Sequence, residues 1–91
     1  MVKKIAIVQN DMGIHVRPTG VIIQEVHNMD AEIKVIAKGM ETDLQDHMGL
    51  LAMGLCKGDT VEIRVWGNNE EEVCEELVEL FERNFDFPPR K

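Results

Sequence analysis

Gly13-Ile14-His15-Val16-Arg17-Pro18 decides the fold, because it marks where a chain that begins as a strand turns into a helix. Gly13 lets the backbone bend before the turn. Pro18 suits a first helical turn, where amides have no intrahelical acceptor to lose. From Val16 to about His27, the residues Thr19, Ile22, Ile23 and Val26 recur at helical spacing and make one apolar face. Gly20 weakens such a helix by about 1 kcal/mol relative to alanine. It also leaves room for a neighbour to approach closely. Asn28-Met29-Asp30 favours a turn and closes the segment.

On the N-terminal side, Lys4-Ile5-Ala6-Ile7-Val8 is a β-branched run that reads as a strand, followed by a polar loop from Gln9 to Met12. On the C-terminal side, Glu32-Ile33-Lys34-Val35-Ile36 alternates, with Ile33 and Val35 inward. Lys38-Gly39 is a turn into a more polar strand, Met40-Glu41-Thr42-Asp43-Leu44, completing a hairpin. A short helix is predicted from Asp46 to about Met53, ended by Gly54, and Lys57-Gly58-Asp59 turns again. Thr60 to Trp66 sets Val61, Ile63 and Val65 against Glu62, Arg64 and Trp66, the strongest strand signal in the chain. Gly67-Asn68-Asn69 precedes a long helix with Asn69 and Glu72 at capping-box spacing. Its stripe is Val73, Leu77, Leu80 and Phe81, with Phe85 just beyond, and Glu70-Glu71-Glu72 complements the helix dipole. Pro88-Pro89 cannot continue a helix, so residues 86–91 read as a loose tail on a single domain spanning 1–91.

The order is β-α-β-β-α-β-α. Amphipathic helices on one face of a four-stranded sheet give an α+β, open-faced two-layer sandwich with the other face left to water. At 91 residues, with 44% hydrophobic and 30% charged side chains, the composition is that of one globular domain. No apolar run is long enough for a membrane span and the start lacks a signal-peptide core, so no membrane partner and a cytoplasmic location are expected. A net charge of −7 argues against nucleic acid as a partner. Cys56 and Cys74 are too far apart for a metal motif and read as reduced structural thiols. His15, His27 and His47 form no close pair, and neither a metal nor another cofactor is expected.

The chemistry-bearing residue is His15. At a helix start, the amides of Val16 and Arg17 and the positive end of the macrodipole make an anion site beside the imidazole. A phosphoryl group on that ring would meet those donors and the Arg17 guanidinium. A solvated cap histidine is the plainer alternative. No second base stands ready to activate water unless a loop carboxylate such as Asp11 is recruited.

Gly-Ile-His-Val-Arg-Pro resembles the active-site motif of the histidine-containing phosphocarrier (HPr) family, usually Gly-(Ile/Leu)-His-(Ala/Thr)-Arg-Pro. Met48-Gly49-Leu50-Leu51-Ala52-Met53-Gly54 resembles the family's central segment, and the likeness runs from Lys3 to about Phe85. The resemblance implies an antiparallel four-stranded sheet with three helices on one face. It implies that His15 accepts a phosphoryl group through Nδ1 from enzyme I of the phosphoenolpyruvate-dependent sugar phosphotransferase system. It further implies that Arg17 is the charge partner, that the group passes to an enzyme IIA domain, and that "enzyme" fits such a carrier only loosely. The family's partner-docking positions fall on Gly20, His47, Met48 and Leu51, although Met48, Leu51 and Met53 also suit a plain core. A monomer is the default for a surface that meets several partners.

The chain departs from that pattern at Gln45-Asp46-His47-Met48-Gly49. Gram-positive members usually read Lys-Ser-Ile-Met-Gly, and HPr kinase phosphorylates the serine. Asp46 removes that modification and imitates part of its charge, about −1 against about −1.5 to −2. Aspartate is also simply a good helix N-cap. His47 stands where Ile or Leu is usual, Gln45 replaces a common lysine, Met12 a Ser or Asn, and Val16 an Ala or Thr. The alternative implied is a regulatory binding module for carbon catabolite control that touches catabolite control protein A.

Overall fold

The computed structural model describes residues 1–11 and 13–83. The readings of Met12, Phe85 and the 86–91 tail lie outside the described residues. The elements are β1 (Val2–Ile7), α1 (Val16–His27), β2 (Glu32–Ala37), β3 (Met40–Thr42), α2 (His47–Leu51), β4 (Thr60–Trp66) and α3 (Glu70–Glu82). The sheet runs β1-β4-β2-β3 and every pairing is antiparallel. The three helices cover one face, as the β-α-β-β-α-β-α order implies.

Alternation on β4 and β2 is realised as read, with Val61, Ile63, Val65, Ile33, Val35 and Ala37 buried. Register continues that inner face across the sheet, since Ile63 pairs with Lys4 on one side and Val35 on the other. Below it lie Ile22 and Ile23 from α1 and Leu77, Leu80 and Phe81 from α3, all in one core. Cys74 joins them, and burial pushes its thiol pKa up.

Strand β1 forms where the aliphatic run is read, and its large side chains are not the buried ones. Ala6 is the fully buried member, whereas Ile5 and Ile7 are 55% and 43% exposed on the open face. The register decides this: Val2, Lys4 and Ala6 align with the inward Val65, Ile63 and Val61. Period two then sends Ile5 and Ile7 outward. The edge amide of Ile7 is met by Glu82 Oε2 at 3.0 Å.

Two ends differ from their sequence readings. The hairpin's second strand stops at Thr42, and Leu44 has a left-handed backbone with φ of 60°. Thr42 Oγ1 accepts the Leu44 amide at 3.1 Å, and this turn drives the Leu44 side chain into the core, fully buried. Burial of a leucine stabilises by about 1.5–3 kcal/mol. That offsets the left-handed backbone, which costs about 1–2 kcal/mol. At α3 the Asn69 side chain makes no cap hydrogen bond, because its φ of −108° and ψ of 33° are not the extended form a cap needs. Glu70 instead takes the Gly67 amide and the chain's amino terminus, each at 3.3 Å.

Candidate functional site

His15 is the N-cap of α1, with φ of −99° and ψ of −160°. Its ring makes no cap hydrogen bond, and Thr19 N–H donates to the His15 carbonyl at 2.9 Å. The helix therefore closes on His15 through its backbone alone, and the amides of Val16 and Arg17 have no intrahelical acceptor. The ring is half-buried with Nε2 closed off from solvent. Arg17 is exposed, and no carboxylate among the described residues pairs with it.

The loop before His15 is held from both sides. Gly13 has φ of 75°, and a Cβ there would stand 2.2 Å from the Leu55 carbonyl oxygen, so only glycine fits. The Ile14 amide donates to that same carbonyl at 3.0 Å. Asn10, fully buried, donates from Nδ2 to the Gly13 carbonyl at 2.7 Å and accepts the Gly13 amide on its own carbonyl at 2.9 Å. Sequence reasoning missed Asn10, which looks like any polar loop residue; only its position three before a glycine hinted at a turn. Asp11 pairs with Lys57 at 2.8 Å, which raises the lysine pKa.

Helix α2 is shorter than expected, five residues, with Asp46 as its N-cap. Asp46 Oδ1 accepts the Gly49 amide at 2.8 Å. Leu50 is buried and anchors the helix, and Met53 is core rather than surface. Met48 is 72% exposed and Leu51 half-buried, so the docking set divides between surface and packing. Gly20 lets α2 come close: its missing Cβ would lie 4.0 Å from His47 Nε2.

A groove of about 480 Å³ runs between the two helices, lined by Val16, Arg17, Gly20, Val21, Ile23, Gln24, His27 and His47. It unites Val16, Arg17, Gly20 and His47 from the sequence reading and leaves out Met48 and Leu51. Asp46 faces a separate polar recess with Lys34, Glu41, Thr42, Asp43 and Gly49. Gln24 and His27 were missed, yet Arg17, Gly20, Gln24 and His27 follow helical spacing on the side opposite the apolar face. Among the described residues no group of three or more His, Cys, Asp or Glu side chains is placed to hold a metal ion. No helix there is long and apolar enough to cross a membrane.

Residues 2–83 match the family profile described as "PTS HPr component phosphorylation site". The phosphocarrier protein HPr of Mycoplasma pneumoniae is 30% identical over 84 residues, covering 90% of this chain and 96% of that protein. The HPr-like protein Crh of Halalkalibacterium halodurans is 29% identical, covering 91% and 99%. The crystal structure of an HPr from Bacillus anthracis superposes with a TM-score of 0.83 at 25% identity, covering 89% of this chain and 96% of that one.

The chain belongs to the HPr phosphocarrier family of the phosphotransferase system. Its role in that class is to carry a phosphoryl group between proteins rather than to turn over a small substrate. Partners of the enzyme I and enzyme IIA type follow from that membership.

Proposed function

We propose that His15 is the phosphoryl acceptor, through Nδ1, and that the group arrives from enzyme I and leaves to an enzyme IIA domain. The observation that carries this reading is the placement of His15 at the N-cap of α1, beside the first amides of the helix. Closure of Nε2 from solvent supports Nδ1 as the working nitrogen. In uptake, the P–Nδ1 bond forms as the donor's P–N bond breaks, and the donor imidazole departs with its electron pair. The incoming phosphoryl oxygens fall beside the amides of Val16 and Arg17 and within reach of the Arg17 guanidinium. Such transfer is mostly positioning and charge stabilisation, which a helix start and one arginine supply. The pairing of Asp11 with Lys57 supports a carrier over a hydrolase, since that loop carboxylate is already engaged. Gly20, His47, Met48 and Leu51 form the docking face around α1 and α2, and the protein works in the cytoplasm as a monomer. Incubation with enzyme I, labelled phosphoenolpyruvate and magnesium, followed by an enzyme IIA domain, tests the relay. Label should pass through this chain and be lost in His15→Ala.

A second reading is favoured by one observation, the exposed Asp46 carboxylate on the α2 N-cap, where a permanent charge stands beside the docking face. In that reading the chain is a regulatory module imitating a serine-phosphorylated HPr, with catabolite control protein A as its partner. Similarity to an HPr-like protein Crh supports it. Absence of label on His15 together with binding to that regulator would select it.

A further inference from the structure

The β2–β3 connection has two residues, Lys38 and Gly39, with φ of 54° and 76°. Positive φ at both positions is the hairpin turn that favours Asn, Asp or Gly at its first place. Lysine there is locally unfavourable, so its side chain must earn the position elsewhere. It reaches across to the 54–59 loop and grips it near both ends. Nζ donates to the Gly54 carbonyl at 2.7 Å and pairs with Asp59 Oδ2 at 3.0 Å. Asp59 Oδ2 also accepts the Cys56 amide at 2.8 Å, and the Asp59 amide donates back to the Cys56 carbonyl at 2.9 Å. Between these two anchor points lies Leu55, whose carbonyl receives the Ile14 amide and abuts Gly13.

We infer that Lys38 is a positioning residue for phosphoryl transfer, acting through the 54–59 loop and the Leu55 carbonyl to hold the backbone that presents His15. It rests on His15 as acceptor. Backbone strain at a residue whose side chain makes two specific contacts is what a functional constraint leaves behind. Both partners are partly exposed, and an ion pair of that kind adds little to global stability. Its loss is therefore felt in the loop and the site rather than in the whole fold.

The test uses Lys38→Asn, which suits the turn, and Lys38→Arg, which keeps a cation and donors. In Lys38→Asn the melting temperature should hold or rise. The Ile14 amide should exchange about fivefold faster while Ile63 in β4 is unchanged. Phosphoryl uptake from enzyme I should slow about three- to tenfold at saturation with KM unaltered, and Lys38→Arg should restore both to within about twofold. Unchanged Ile14 exchange, or unchanged uptake, in Lys38→Asn overturns the inference. So does a general fall in stability that Lys38→Arg does not mend. If the wild-type chain takes no phosphate on His15, the carrier reading fails instead, and Ile14 exchange still reports on the clamp.

Discussion

The Gly49 amide donates to Asp46 Oδ1 at 2.8 Å, so the residue proposed as a regulatory position also caps the helix that follows it. The two roles are separable. Ser caps about as well as Asp, whereas Ala does not and costs about 1 kcal/mol. Both substitutions remove the charge. A carboxylate facing a partner carboxylate at about 4 Å costs on the order of 1–4 kcal/mol, depending on screening. Asp46→Ser should therefore take phosphate from enzyme I about five- to several-hundred-fold faster at unchanged stability. Asp46→Ala should show the same gain with a lower melting temperature. Equal rates in stopped-time labelling of wild type and Asp46→Ser dismiss the electrostatic role and leave the cap.

Gly13→Ala should be among the most damaging single-methyl additions. Its Cβ would meet the Leu55 carbonyl at 2.2 Å while the backbone holds a φ of 75°. Left-handed strain of about 1–2 kcal/mol and overpacking of about 1–3 kcal/mol act together. A chemical-denaturation loss of about 2–5 kcal/mol is expected, with Ile14 exchanging at the rate of an unprotected amide.

Leu50 is fully buried and is the anchor of a five-residue helix too short to stand alone. Leu50→Ala should cost about 2–5 kcal/mol. Calorimetry should show this as a fall of roughly 4–8 °C per kcal/mol in a domain of this size. Met48→Ala, on the surface of the same helix, should leave the melting temperature within about 2–4 °C, a shift set by ordinary surface tolerance of about ±0.5 kcal/mol.

The fold was legible wherever period decided it. Thr60–Trp66 and Glu32–Ile36 alternate because one face meets the core, and Thr19, Ile22, Ile23 and Val26 share one side of α1, so spacing alone reports their burial. Where partners decide, the sequence was mute. Ile5 and Ile7 face outward because β4 sets the register, and Leu44 leaves its strand because Thr42 and the core together reward a left-handed turn. Asn69 loses its cap because its backbone is not extended. At the site, His15 and Arg17 could be read from the helix start, but Asn10, Leu55 and Lys38 act across loops far apart in the chain. Nothing local marks them.

Asp59 gives the acid limb its sign. The Cys56 amide, then Lys38, hold its carboxyl below the usual carboxylate range. A group with a lowered folded pKa lends stability that is present above its unfolded value, 3.8, and lost as pH falls through the folded one. Asp59→Asn should therefore lower the melting temperature at pH 7, chiefly by weakening the bond from the Cys56 amide and only slightly through the exposed Lys38 pair. The gap to wild type should close progressively below about pH 4. A gap that is constant from pH 7 to pH 2 contradicts the ionic part of this contact.

In the proposed relay one imidazole, at the mouth of α1, takes the phosphoryl group on Nδ1. Nitrogen-15 and phosphorus-31 NMR of the chain after treatment with enzyme I, phosphoenolpyruvate and magnesium reads out that bond. The expected spectrum has a single acid-labile phosphoramidate, coupled to His15 Nδ1, that vanishes in His15→Ala. Phosphate on His27 or His47, on Nε2 of His15, or nowhere would contradict it.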